Sequence, residues 1–231
     1  MRLPLLTAAL LTAPFVRAET PFWTVYNGNH AVTKRSGVWL EGQYRTTGVG
    51  LVDWQAFARP GYWYAIRPWA LVYGGYANVQ TRSAPGAVPS LTRPEHRSWQ
   101  QLILLKKAGS TTLQQRYFFE QRYLARYQPG TATQTGWRTE DRLRLRLRGV
   151  TPLRPKLQLV YMNEVMLNYG RNVAVRTFDQ NRLYAGLGFT LSPTTRAELA
   201  YNYVASQNRA PQQMVHQHGI VLAIFSTAKL R

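Results

Sequence analysis

From Trp137 to Arg148 charged and apolar side chains alternate almost without fault. Arg138, Glu140, Arg142, Arg144, Arg146 and Arg148 share one parity, and Trp137, Leu143, Leu145 and Leu147 share the other. Successive side chains of a strand point to opposite faces, whereas a helix would scatter these arginines all round. The preceding segment repeats the pattern, with Arg116, Glu120, Arg122 and Arg126 opposing Leu113, Tyr117, Phe119, Tyr123 and Tyr127. Further on, Lys156, Gln158, Glu164 and Asn168 oppose Leu157, Leu159, Tyr161, Val165 and Leu167, and Arg196, Glu198 and Asn202 oppose Ala197, Leu199, Tyr201 and Tyr203. Helical periodicity is nowhere sustained. After Ala18 no stretch approaches the roughly 20 apolar residues of a membrane-spanning helix.

About eleven strand-like segments follow, starting near Phe22, Gly37, Trp54, Trp69, His96, Thr111, Trp137, Lys156, Thr177, Thr195 and Met214. Short turn signals at Arg67-Pro68, Gly109-Ser110, Thr151 to Pro155 and Ser192-Pro193 alternate with longer connections near Ser83 to Pro94, Gln128 to Thr135, Gly170 to Val175 and Gln207 to Gln213. That rhythm predicts an all-β fold: an antiparallel up-and-down transmembrane β-barrel of about 10–12 strands, with tight periplasmic turns and longer outer loops. A bacterial barrel with both ends in the periplasm needs an even count. Either the segment from Phe22 to Val32 therefore lies outside the wall or a twelfth strand exists. Gln55 to Val79 also aligns without gaps on Gln180 to Val204, matching Gly61 to Gly186, Pro68 to Pro193 and Tyr76 to Tyr201, as a repeated hairpin would.

A soluble sandwich or lipocalin-like barrel would use the same strands with the apolar side inward. Its core would then have to bury many tyrosines and find each hydroxyl a partner. An outward apolar face is the better reading, with Leu143, Leu145, Leu147, Tyr117 and Phe119 toward lipid. Trp54, Tyr62, Trp63, Tyr64 and Trp69 are expected to form an interfacial girdle around one turn.

Residues 1–18 combine a basic start (Arg2), an apolar run and a terminal Ala18, and are read as a secretory signal peptide cleaved after Ala18. Residues 19–231 then form a single barrel domain. This changes how the charge is understood. Lys and Arg number 29 against 10 Asp and Glu, giving a net charge of +19, which in a soluble chain would suggest nucleic acid. An exported chain with 14 Tyr and 7 Trp suits a membrane surface instead. No cysteine is present, which excludes disulfide scaffolds, thiol catalysis and iron-sulfur sites.

Several runs resemble a family of bacterial outer-membrane proteins catalogued as a domain of unknown function, family 2490. They are Phe22-Trp23-Thr24, Glu41-Gly42-Gln43-Tyr44-Arg45, Arg116 to Arg122 and Asn163-Glu164 with Asn168. Most specific is Phe178-Asp179-Gln180-Asn181-Arg182-Leu183, followed by Gly186 to Ser192 and Tyr201. The resemblance implies a barrel in the outer membrane of a Gram-negative cell and carries no reaction or ligand with it. The chain departs from barrels generally at its end, Phe225-Ser226-Thr227-Ala228-Lys229-Leu230-Arg231, where an aromatic final residue is displaced.

The candidate site is the charged face itself: Arg116, Glu120, Arg122, Arg138, Glu140, Arg142, Arg144, Arg146, Glu164, Arg182 and Glu198, with Arg45 and Glu41. As a ladder of ion pairs these residues would fill a narrow lumen and hold strands in register. As a surplus of cations they would form an anion path or a site for lipopolysaccharide phosphates. His216 and His218 are two apart on one strand face without an identifiable third ligand, so no metal is expected. Ser226 and the histidines show no nucleophile elbow. No catalytic residue or cofactor is assigned. A lipid- or lipopolysaccharide-modifying enzyme remains the alternative to a structural barrel and to a small anion or solute pore. The expected partners are outer-membrane lipid, lipopolysaccharide and the barrel-assembly machinery, not nucleic acid.

Overall fold

Each alternating segment forms a strand whose polar and apolar sides are separated by the pleat. The structure, a computed structural model, describes residues 20–47, 54–83, 88–170, 177–207 and 213–229; the expected signal peptide lies outside them. Eleven strands follow in order: β1 (Pro21–Ala31), β2 (Ser36–Thr47), β3 (Trp54–Arg67), β4 (Ala70–Arg82), β5 (Thr92–Ala108), β6 (Thr111–Tyr127), β7 (Gln134–Arg154), β8 (Leu157–Tyr169), β9 (Phe178–Ser192), β10 (Thr195–Gln207) and β11 (Met214–Ser226). Neighbours in sequence are neighbours in space, and the sheet closes on itself.

The closure corrects the expectation of an even count. β1 lies in the wall and pairs with β11 in parallel, from Phe22 opposite Ile220 to Gly28 opposite Ser226; every other neighbouring pair is antiparallel. Both closing strands run toward the rim of tight turns, so an odd number of strands closes without a twelfth. A parallel ladder still satisfies the backbone groups, at slightly lower stability per residue.

Residues 32–35, 68–69, 109–110, 155–156 and 193–194 make the tight rim, which also receives the end of β11. The opposite rim receives the start of β1 and the longer connections, parts of which lie outside the described residues. One predicted turn moves: β7 continues through Thr151 and Pro152 to Arg154, and the reversal is made by Pro155 and Lys156, the latter at φ 65°. An irregularity between Pro152 and Arg154 accommodates a proline that has no N–H to give the ladder.

The charged faces point inward. Glu120, Glu164 and Glu198 are fully or nearly fully buried, whereas Leu147, Leu183, Leu199 and Tyr201 stand exposed on the outer wall. This orientation is opposite to that of a soluble barrel, which would put its charges in water. The expected aromatic girdle is corrected in two places. Tyr62, Tyr64 and Trp69 are exposed beside one tight turn, but Trp63 is buried inside, and Trp54 lies at the far end of β3, stacked on Tyr44.

Inside, Phe57, Trp63, Tyr73, Val79, Trp99 and Phe118 pack as an apolar cluster on β3–β6. Trp99 lies flat on the backbone where β3 and β4 carry glycines: a Cβ at Gly61 would stand 2.5 Å from its ring, and one at Gly75 2.9 Å. Both copies of the repeat are hairpins, β3–β4 and β9–β10. Gly186, the counterpart of Gly61, likewise has no room for a Cβ, which would lie 2.3 Å from the Leu199 carbonyl.

Candidate functional site

Glu120, on β6, is 0% exposed and lies at the centre of the interior. Arg142, its direct cross-strand neighbour on β7, donates from Nε and Nη2 to Oε2 at 2.8 and 2.6 Å. Arg97 of β5 and Arg59 of β3 donate to Oε1 at 3.0 and 3.3 Å, and Arg144 of β7 reaches the same oxygen at 3.5 Å. One carboxylate thus meets four guanidinium groups from three strands. Such an arrangement is tenable only because further carboxylates share the arginines, since an unpaired charge in a low-dielectric interior is strongly unfavourable.

Those carboxylates surround the centre. Arg59 also reaches Glu41 at 3.0 Å, and Arg142 reaches Asp179 of β9 at 2.9 Å. Glu164 of β8 accepts from Arg144 at 2.8 Å and from Arg116. Glu95 joins Arg97 at 2.7 Å to Arg122 at 2.6 Å, and Glu140 joins Arg122 at 3.4 Å to Arg138 at 3.1 Å. The network therefore ties β2, β3 and β5–β9 together across the lumen. The Phe118 ring, 0% exposed, lies beneath it with Arg59, Arg116 and Arg144 at 4.7, 5.0 and 5.1 Å from its centroid. Near the tight rim a separate group forms, in which Glu198 accepts from Arg148, from Arg196 at 3.0 Å and from the Tyr184 hydroxyl at 2.9 Å.

Three inward arginines differ. Arg45 donates to Gln43 and, at 3.0 Å, to Gln55; Arg146 donates to Gln114; Arg182 donates to Gln180 at 2.8 Å. Among the described residues their partners are neutral amides, so Arg146 does not join the ladder that its neighbours Arg142 and Arg144 form. Arg45 and Arg182 also share the ring of Trp23, at 4.2 and 5.1 Å from its centroid.

Beside these residues lies a cavity of about 520 Å³, lined by side chains of all eleven strands and running to Ser192, Pro193, Thr194 and Thr227 at the tight rim. Eight arginines line it, against two carboxylates, Glu41 and Glu164. An apolar strip of Val25, Val221, Ala223 and Phe225 from β1 and β11 faces it as well. Phe225, the aromatic residue near the chain end, thus faces inward, under Arg196 at 4.7 Å and Arg148 at 5.4 Å.

His96, His216 and His218 lie on the outer face, hydrogen-bonded to Tyr76, to Tyr203 at 2.6 Å and to Tyr201, whereas His30 is buried between Tyr26 at 3.0 Å and the Ala228 carbonyl at 2.8 Å. Among the described residues no three metal-ligating side chains gather. Arg59, Glu95 and Arg97 are not singled out by the sequence pattern, and Asp179 stands there only within the Phe178 to Leu183 run, without a site role. The parity of Glu95, Arg97, Trp99 and Gln101 was available as a signal. Asp179 was hidden, because an irregularity between Met166 and Leu167 shifts the β8–β9 register beside it.

The in-vitro folded, trimeric form of OmpT, an outer membrane protein of Vibrio cholerae, is 12% identical with a TM-score of 0.42, covering 82% of this chain and 57% of that one. Outer-membrane expressed OmpT of Vibrio cholerae is 12% identical with a TM-score of 0.43, covering 78% and 58%. The chain spans little more than half the length of these structures. A comparison with curated proteins gives no match. A family model described as "Protein of unknown function (DUF2490)" matches residues 20–215, most of the chain, and the protein belongs to that family.

Proposed function

We propose that the protein is a structural barrel of the outer membrane whose interior is closed by its own ion pairs. The observation that carries this reading is the convergence of Arg59, Arg97, Arg142 and Arg144 on Glu120. Guanidinium-carboxylate pairs linked to one another resist separation by permeating ions, because each displaced arginine would strand a buried carboxylate. A membrane location is supported by the outer wall, where Tyr117, Phe119, Leu145, Leu147, Leu159, Leu187 and Leu199 are exposed. Strands of 11–21 residues meet or exceed the roughly 9–11 that a tilted spanning strand requires. Toward the rim of longer connections the outward positions of β5–β7 bring polar His96, Ser98, Gln121 and Asp141 among the exposed aromatics Tyr76, Tyr123 and Trp137. Lipopolysaccharide head groups offer suitable partners there.

Purified barrel in planar bilayers is expected to show no stepwise conductance; regular steps would overturn the closed reading. The glutamine-partnered arginines favour a second reading, a small anion pore. It requires conductance together with an anion-selective reversal potential in asymmetric KCl that falls in Arg146→Gln.

A further inference from the structure

We propose that the arginine-lined cavity binds a phosphate-class oxyanion carried on a short apolar body, entering from the tight-turn rim. The charge balance leads there first. Of the eight arginines lining the cavity, Arg59, Arg116, Arg144, Arg148 and Arg196 share Glu41, Glu120, Glu164 and Glu198, while the hydrogen-bond partners of Arg45, Arg146 and Arg182 among the described residues are amides. The surplus of positive charge faces a space bounded by protein, where Coulomb attraction is far stronger than in water.

The donors supply the second observation. Among the described residues, Nε of Arg116, a residue only 7% exposed, Nε of Arg59, 3% exposed, and Nε of Arg146 find no hydrogen-bond partner. Guanidinium N–H groups match phosphate oxygens in a fork, so neighbouring arginines with unfilled donors suit a multiply charged oxyanion once their side chains turn toward it, these Nε atoms being themselves covered. The third observation is the facing wall. Val25, Val221 and Ala223 of β1 and β11 form an apolar strip across the lumen from Arg146, between the arginines of β2 and β10. Inorganic phosphate would leave that wall in water, whereas an alkyl body would cover it. A volume of about 520 Å³ falls within the roughly 300–1,000 Å³ of small-molecule sites. At the far end, Trp23 between Arg45 and Arg182 forms the ceiling, and Ser192 to Thr195 mark the entrance.

This inference goes beyond the closed-barrel reading. Conductance bears on that reading and ligand titration bears on this one, so either can fail alone. The test is calorimetric titration of the barrel in neutral detergent, with chloride at physiological strength throughout, using hexyl phosphate, inorganic phosphate and hexyl glucoside as probes. Saturable binding of hexyl phosphate is expected, at least tenfold tighter than inorganic phosphate, with none for the glucoside. Arg146→Gln and Arg182→Gln should each weaken it at least tenfold. Neither variant strands a carboxylate, so heat-modified gel mobility should stay that of the wild type and show that the fold persists. Equal affinity for hexyl phosphate and inorganic phosphate would overturn the apolar part of the proposal. Absence of phosphate binding, or binding unchanged in both folded variants, would overturn the whole.

Discussion

Arg142 and Glu120 are bonded side-on within one cross-strand pair, two nitrogens of the guanidinium donating to a single carboxylate oxygen and leaving the other for Arg59 and Arg97. The β6–β7 register thus sets the position of the whole network, because slipping it by one residue would turn Arg142 to the outside.

Replacing Glu120 by Gln should therefore be among the most damaging single changes in the lumen. Four guanidinium groups lose a shared counter-charge, and breaking a buried pair from one side destabilises by about 3–5 kcal/mol. Denaturant unfolding in detergent should show the loss. Arg138→Gln, at a pair whose arginine is 26% exposed, should change stability by no more than about 1 kcal/mol. Comparable midpoints for the two variants would show that the network is not cooperative.

The outer wall makes a prediction graded by depth. Leu145→Arg, midway along β7, should destabilise by roughly 2–4 kcal/mol if that face meets lipid, and Leu153→Arg beside the tight turn by about 0–1 kcal/mol. Membrane fractionation and heat-modified mobility read the difference. A harmless Leu145→Arg would remove the lipid-facing assignment.

Packing at the β3–β4 hairpin gives a third test. In Gly61→Ala the new methyl meets the Trp99 ring at 2.5 Å, and overpacking of this kind typically destabilises by about 1–3 kcal/mol. Trp99→Leu costs stability on its own, but combining it with Gly61→Ala should relieve the ring's part of the clash, leaving the approach of the new methyl to the Gly74 carbonyl at 2.8 Å. A double-mutant cycle should accordingly show coupling rather than additivity.

The odd strand number is tested by labelling, which the absence of cysteine makes clean. Thr20→Cys precedes β1 at the rim of longer connections, and Lys229→Cys follows β11 at the tight rim. A membrane-impermeant maleimide applied to intact cells should label the first, and the second only after the outer membrane is opened. Labelling of both, or of neither, would contradict a parallel closing pair in a spanning barrel.

Strand identity was legible in the sequence because alternation is a local property. The arginines of β7 and the tyrosines of β6 declare their faces without reference to anything distant, and the observed strand starts lie within four residues of the expected ones, as at Thr92 and Gln134. What alternation does not carry is pairing. Nothing local distinguishes Arg144, bonded to Glu164, from Arg146, bonded to Gln114, because the choice depends on where β6 and β8 place their polar side chains. The inward turn of Trp63 and the position of Asp179 escaped for the same reason: both depend on what lies opposite. The parallel seam was invisible, being a relation between residues about two hundred positions apart.

That seam gives the molecule a fixed first and last strand. In a barrel whose closing strands are antiparallel, the chain ends emerge at the same rim and a few residues can join them. A new opening may then be cut at any turn. Here a linker from the end of β11 back to the start of β1 would have to travel the full height of the wall, about ten extended residues or more at roughly 3.3 Å each, through the lumen or across the outer face. A circular rearrangement of this sequence therefore has no short solution. The order in which its strands were laid down is as much a part of the structure as their number.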